Sequence, residues 1–271
     1  MKVGLALGSG GAKGLAHIAY LEVLDQLGVK VSGIAGASMG ALVGAFYAAG
    51  MPAKELRALA QGIGIRDLPR ILDLSGFRDG GFIKGKKIEE WIGERLPVRR
   101  FEDLKVPLKI VATDFWVREQ IVFDKGDLVP AIRASIAIPG VIEPFDLDGR
   151  LLVDGGVVNP VPFDLLEGCD FIIAIDVAGP SGSTRDPAIE DRDPGRLEIL
   201  MGSFGIMGKV IMEQRAEDER IAIYLRPALA GFKSMDFLKA KEILDSVRED
   251  ALALMAELVR RKVDVKAGRA R

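Results

Sequence analysis

Short apolar runs alternate with amphipathic stretches from the first residues of the chain. Lys2 to Gly8 reads as a strand, Gly14 to Leu27 as a helix, Val31 to Ala35 as a strand and Met39 to Ala49 as a helix, with another helix from Pro52. Further along, Leu108 to Thr113 and Gln120 to Phe123 read as strands and Leu128 to Ile136 as a helix. Phe171 to Val177 is a near-continuous apolar strand, the pattern of a strand covered on both faces. Strands alternating with helices in this way predict an α/β fold with a mostly parallel sheet.

The pattern changes after Val177. Pro180 to Gly195 collects Ser181, Gly182, Ser183, Asp186, Pro187, Asp193 and Pro194 and reads as a loop; it leaves the carboxyl end of a strand and is placed to act as a lid over a site there. The remainder, 196–263, reads as helical apart from one strand, Ile221 to Leu225, and ends in a basic tail over 264–271. Leu197, Leu200, Met201, Phe204, Ile211 and Met212 mark one apolar helical stripe, and Leu244, Val247, Ala251, Leu254 and Leu258 mark another; both read as core-packing faces. No internal repeat is seen. The expectation is one domain over 1–271, with its motif-bearing core in 1–180.

Composition narrows the chemistry. A chain of 271 residues, 49% hydrophobic, buries enough surface to need neither disulfide nor structural metal. Its 37 basic and 39 acidic side chains are balanced, without the electrostatic footprint of a nucleic-acid binder. Cys169, the single cysteine, can form no internal disulfide, and His17, the single histidine, rules out a two-histidine metal site, so neither metal nor cofactor is expected. The apolar run Val3 to Leu7 is too short for a signal peptide, which makes the expected location cytoplasmic. Val31 to Ala53 carries no charge and has Gly36, Gly40 and Gly44 at membrane-helix spacing. Its five glycines and two serines and its β-branched start favour instead a strand, a tight turn and a buried helix.

Two glycine-rich segments carry the candidate chemistry. Gly8-Ser9-Gly10-Gly11-Ala12-Lys13-Gly14 lies between the first strand and the first helix, where backbone N–H groups converge on an anion. A nucleotide-binding P-loop is excluded because Ala12 and Gly14 break its pattern around Lys13. A dinucleotide fingerprint fails too, since Lys13 takes the place of its last glycine and the second strand runs into Gly36-Ala37-Ser38 instead of an acid. The third anion is the oxyanion of a tetrahedral acyl intermediate. Gly36-Ala37-Ser38-Met39-Gly40 is GxSxG between an apolar strand and an apolar helix, the context of a nucleophile elbow, and makes Ser38 the candidate nucleophile.

Ser38 needs a base, yet no histidine follows it, and His17 shares a helix face with Leu21 and Leu24 as a packed residue would. The base is therefore expected to be a carboxylate. Asp114, Asp154 and Asp176 stand at or near strand ends, and the tight turn allowed by Gly155-Gly156 modestly favours Asp154.

Gly10-Gly11-Ala12-Lys13-Gly14, Gly36-Ala37-Ser38-Met39-Gly40, Ala134-Ser135-Ile136-Ala137-Ile138-Pro139 with Pro144, and Asp154-Gly155-Gly156 occur in the order seen in the patatin-like phospholipase family. Over roughly the first 180 residues the chain resembles that family, most closely its bacterial single-domain branch, which is similar to the catalytic domain of neuropathy target esterase. Ser9 departs from it, since many members carry a further glycine there. The resemblance implies a three-layer α/β/α sandwich with a mostly parallel central sheet. It also implies a lipid acyl hydrolase with Ser38 as nucleophile, Asp154 as base, and the N–H groups of Gly10, Gly11 and Ala12 as oxyanion hole. Lys13, Gly14, Gly36, Gly40, Gly155 and Gly156 are the supporting motif residues. The substrate class it implies is a lipid acyl ester or phospholipid.

Three other readings are weighed: a transacylase using the same dyad, a non-catalytic lipid-binding protein on the same fold, against which the intact Ser38 and Asp154 argue, and a nicotinamide-dependent reductase, weakened by the missing ribose-binding acid. Leu68 to Trp91 interleaves apolar residues with Arg70, Arg78, Lys84, Lys86 and Lys87, which suits peripheral contact with an anionic membrane face and equally a solvated surface over the core; the basic end from Arg260 to Arg271 has the same two readings.

Overall fold

The structure is a computed structural model and describes residues 1–71, 73, 83–178, 195–215, 217–229 and 231–263. Among these residues, eight strands form one mixed, mostly parallel sheet: β1 Val3–Leu7, β2 Val31–Ala37, β3 Leu108–Asp114, β4 Glu119–Phe123, β5 Phe145–Leu147, β6 Arg150–Asp154, β7 Phe171–Ile175 and β8 Ile221–Leu225. Their order is β5-β6-β3-β2-β1-β7-β8, with β4 also on β3. The pairs β1–β2, β1–β7, β2–β3 and β7–β8 are parallel, whereas β3–β4, β3–β6 and β5–β6 are antiparallel.

The helices are α1 His17–Leu27, α2 Met39–Ala48, α3 Ala53–Gly62, α4 Leu68–Ile71, α5 Lys86–Arg95, α6 Leu128–Ser135, α7 Arg196–Arg215, α8 Ala240–Ser246 and α9 Arg248–Arg260. Strand alternation divides the core. Val3, Leu5, Leu7, Ile34, Ile173 and Ile175 face the large cluster built with most of the helices. Ala6, Ala35, Ile172 and Ala174 face a smaller one closed by Val161, Phe163, Leu166 and Met212 of α7. The layers are thus unequal: helices cover one face, and the turns around 161–166 with the end of α7 cover the other.

One feature of the topology positions the site. Strand β3 is paired by β4 along Ile110 to Asp114, so β2, which pairs Leu108 to Val111, and β6, which pairs Ala112 to Asp114, both lie on its other edge. They run in opposite directions and meet end to end: Ala37 lies opposite Val111, and Asp154 opposite the next residue, Ala112. Residues 38 and 154, 116 apart in sequence, are therefore neighbours.

Several expectations change. The first helix begins at His17, because Gly11–Ala16 winds as a tighter 3-10 turn. The last apolar stripe belongs to two helices, interrupted at Val247. The β5–β6 hairpin was not anticipated; Asp148 and Gly149 both take positive φ at its turn, the conformation that Asp-Gly favours. Val31 to Ala53 is β2, a turn, α2 and the start of α3, and no helix among the described residues is long and apolar enough to cross a membrane. The loop expected over 180–195, apart from Gly195, and the basic tail 264–271 lie outside the described residues.

Candidate active site

Ser38 stands between β2 and α2 with φ 55° and ψ −124°, a backbone conformation that costs a non-glycine residue about 1–3 kcal/mol and persists only when its surroundings impose it. The sequence supplies the means. A Cβ on Gly40 would lie 2.0 Å from the Leu7 carbonyl oxygen, so only glycine lets the first turn of α2 pack this closely against β1. On the other side of the elbow, Gly36 lies in close contact with Ala41. The Ser38 N–H donates to Ser135 Oγ at 2.8 Å, which ties the elbow to the end of α6.

Ser38 Oγ donates to Asp154 Oδ2 at 2.5 Å. The other carboxylate oxygen, Oδ1, accepts the Gly156 N–H at 2.7 Å. Asp154 is fixed through its backbone as well, its N–H donating to the Ala137 carbonyl at 2.9 Å and its carbonyl accepting from Thr113 Oγ1 at 2.9 Å. Gly155 permits the turn that follows: a Cβ there would lie 2.1 Å from the Val111 carbonyl oxygen. Gly156 lies against the Ser9 side chain. Both members of the pair are buried, and burial raises the Asp154 carboxyl from 3.8 to about 7, against the lowering effect of its hydrogen bonds from Ser38 and Gly156. An acid tuned near neutrality and bonded to a serine hydroxyl is equipped to take that hydroxyl's proton.

The other two candidate carboxylates are engaged elsewhere. Asp114 Oδ1 accepts the N–H groups of Trp116 and Val117 at 3.1 and 3.0 Å. Asp176 Oδ2 accepts the Tyr224 hydroxyl at 2.9 Å and lies 3.4 Å from Arg226 Nε.

The glycine loop flanks the elbow. Among the described residues, the N–H groups of Gly10 and Gly11 have no protein acceptor, whereas the Ala12 N–H donates to the Ser234 carbonyl at 2.8 Å. The loop therefore presents two open donors rather than the expected three. Lys13 lies in the 3-10 turn, its ammonium pulled below its ordinary pKa by burial and partly restored by Asp176 and Asp236. Gly14 leaves room for Met39, the residue after Ser38. His17 is fully buried, with burial lowering its pKa to about 4, and its neutral ring donates from Nε2 to the Gly8 carbonyl at 2.8 Å. It grips the base of the glycine loop rather than approaching Ser38.

Sequence reasoning assigned no role to Ser135, Ala137 or Thr113, although the first two lie within the Ala134 to Pro139 motif. That motif was the available signal; its geometric meaning needed the end of α6 to be placed between Ser38 and Asp154.

A cavity of about 170 Å³ opens from Ser38 and Gly11 and runs between α2, α3 and α5. Apart from the Ser38 hydroxyl and the Trp91 indole N–H, the side chains along it are apolar, including Val43, Phe46, Ala60 and Ile88. Leu68, Ile71, Ile83, Ile88 and Trp91 line it too, so the described apolar residues of this segment border the cavity. No group of three or more His, Cys, Asp or Glu among the described residues is arranged to hold a metal ion.

Comparison with known proteins places these features in context. The model of the patatin-like phospholipase family matches residues 5–167. An uncharacterized NTE family protein of Mycobacterium tuberculosis is 42% identical over 188 residues, 68% of this chain and 52% of the relative. Human patatin-like phospholipase domain-containing protein 6 is 31% identical over 90% of the chain and 19% of its own length, and lysophospholipase NTE1 of Kluyveromyces lactis is 26% identical over 89% of the chain and 18% of its own length. The chain thus spans about half the length of the mycobacterial relative and about a fifth of the others. Among solved structures, VipD from Legionella pneumophila shares the fold, with a TM-score of 0.56 at 15% identity over 94% of this chain and 66% of that one.

Proposed function

Because the chain belongs to the patatin-like phospholipase family, which implies a lipid acyl hydrolase, we propose that it cleaves a lipid acyl ester through Ser38 and Asp154 by way of a covalent acyl-enzyme. The observation that carries this reading is the 2.5 Å hydrogen bond from a strained, buried serine to a carboxylate whose pKa burial has raised to about 7.

In the forward half-reaction Asp154 Oδ2 takes the proton of Ser38 as Oγ attacks the ester carbonyl. The negative charge that develops on the carbonyl oxygen is met by the N–H groups of Gly10 and Gly11, each such donor being worth about 3–4 kcal/mol in the transition state. Collapse of the intermediate breaks the ester C–O bond, and protonated Asp154 returns its proton to the departing alcohol. Water then attacks the acyl-enzyme with Asp154 again as base, releasing the fatty acid and restoring Ser38. His17 takes no part, being neutral, buried and directed at Gly8.

The apolar cavity fits the acyl chain of the substrate, because it starts at Ser38 and offers an alkyl chain a surface free of charged groups. The likeness to a lysophospholipase of Kluyveromyces lactis makes a monoacyl phospholipid the first substrate to assay. The proposed acyl-hydrolase domain takes in residues 1–271 as one unit.

The test is labelling with a fluorophosphonate. The native protein is expected to be modified at Ser38, and Ser38→Ala to lose both labelling and hydrolysis of p-nitrophenyl esters and lysophospholipid. Absence of labelling, or undiminished hydrolysis by Ser38→Ala, refutes the reading. Adding an acceptor alcohol and analysing products separates hydrolysis from acyl transfer to that alcohol.

A further inference from the structure

Exposed apolar groups stand on two distant parts of the chain that both adjoin the turn following Asp154. The first lies at the tip of the β3–β4 hairpin, where Phe115, Trp116 and Val117 stand in solvent, Trp116 with 73% of its surface exposed. The tip is preformed. Asp114 accepts the N–H groups of Trp116 and Val117 on Oδ1 and that of Arg118 on its backbone carbonyl, and Arg118 takes a φ of 65° to close the turn. Phe115 and Trp116 pack edge to face with ring centroids 5.0 Å apart. With Arg118, Val157 and Val158 they border an open groove of about 430 Å³. Val157 ends the turn Gly155–Val157 that directly follows the candidate base.

The second part is α7, which crosses the same turn. Its inner face packs on the protein: Leu200 fills the space beside Gly140, Gly208 lies against Pro160, Met212 is buried, and Arg215 Nη1 donates to Asn159 Oδ1 at 2.8 Å. Its outer face carries Ile199, Ile206 and Val210, spaced to form one stripe, with Met207 beside it; all four are exposed, Ile206 by 66%. A helix apolar on both faces ordinarily has both covered. Here only one is. Contiguous exposed apolar surface of this kind marks a binding face rather than a monomer's ordinary exterior.

We propose that the Phe115–Val117 tip and the outer face of α7 form the surface on which the protein lies on a lipid bilayer, with the dyad turned toward the esters it holds. This rests on the site's being a lipid acyl hydrolase. A bilayer fits the surface better than a protein does. Both parts adjoin the turn that follows Asp154, so a bilayer against them brings an apolar phase and ester substrate to the end of the sheet that holds the dyad, which a protein partner does not. Trp116 has the form that suits the membrane interface, and Arg118 beside it puts a cation at headgroup level, while Lys209 beside the α7 stripe pairs with Glu213 at 3.5 Å. Since no described helix can cross a membrane, the contact lies in the plane of the interface.

Two tryptophans are present, so Trp91→Phe leaves Trp116 as the only one and its fluorescence as a direct probe. With vesicles of phosphatidylcholine and phosphatidylglycerol, Trp116 emission is expected to shift to the blue and to be quenched when the acyl chains are brominated. Trp116→Asp and Ile206→Asp, made in the otherwise native chain, are each expected to lower vesicle partitioning by about tenfold, with hydrolysis of a soluble short-chain ester unchanged. An unshifted and unquenched Trp116, or partitioning unaffected by both substitutions, overturns the proposal. So does a lipid-free dimer that Ile206→Asp dissociates, because the face would then be an interface between copies. Vesicle binding through Trp116 in a protein that hydrolyses no ester supports the surface and refutes the hydrolase reading instead.

Discussion

Replacing Asp154 by Asn should stabilise the protein while abolishing its activity, and should do so with a defined pH dependence. The substitution keeps shape and the Gly156 N–H contact but removes a carboxylate that the fold buries. Raising that acid from its ordinary 3.8 to about 7 corresponds, at ~1.4 kcal/mol per tenfold change in proton affinity, to about 4 kcal/mol. The native state holds its proton more tightly than the unfolded chain, so this contribution to stability is complete below pH 3.8 and is lost as pH rises to about 7. Asn does not titrate. The stability of Asp154→Asn relative to wild type should therefore grow from pH 4 upward and level off above about pH 8, reaching at most about 4 kcal/mol, or roughly 10 °C in melting temperature for a chain of this size. Turnover of a soluble ester should fall by about 10²–10⁴, the range expected for loss of a general base. Calorimetric melting at pH 5 and pH 8.5, with ester hydrolysis measured on the same samples, tests both halves. A melting difference that does not change with pH would show that Asp154 is not a desolvated carboxylate, and retained turnover would show that the proton goes elsewhere.

The remaining predictions come from the same geometry. Wild-type hydrolysis should rise with pH through an inflection at about 7, since Asp154 must be ionised to accept the Ser38 proton; a rate flat from pH 5 to 9 contradicts the assignment. Ala60→Phe, which fills part of the cavity between α2, α3 and α5, should cut activity on dodecanoyl esters by about tenfold and leave butanoyl esters nearly untouched; an equal effect on both would mean that the chain lies elsewhere. Ser135→Ala leaves the buried Ser38 N–H without an acceptor and should cost about 1–3 kcal/mol of stability, read by denaturant titration, and lower kcat more than it changes KM. His17→Phe should destabilise by a similar amount through the lost bond to the Gly8 carbonyl; a folded variant that lost activity as fully as Ser38→Ala would make the histidine a catalytic group after all.

What the sequence determined by itself was local or compositional. Apolar periodicity located most strands and helices, because burial on a sheet face or a helix stripe requires those spacings. GxSxG between a strand and a helix marked Ser38 as the candidate nucleophile, since a sharp elbow needs small residues around it. A single histidine preceding the serine directed attention to a carboxylate base. The β5–β6 hairpin escaped notice because both strands are short, although Asp148-Gly149 was a legible turn signal. The long-range arrangement was decided by tertiary structure. Asp114, Asp154 and Asp176 have similar local settings, and only the end-to-end meeting of β2 and β6 along one edge of β3 brings Asp154 to Ser38 while turning Asp114 into a hairpin brace and pairing Asp176 with Tyr224 and Arg226. The commitment of the Ala12 N–H to Ser234 likewise depends on where a segment more than two hundred residues away packs. The outward apolar face of α7 is of the same kind: its residues look equally ready for the core in sequence, and packing against Gly140 and Pro160 decides which of them remain in water.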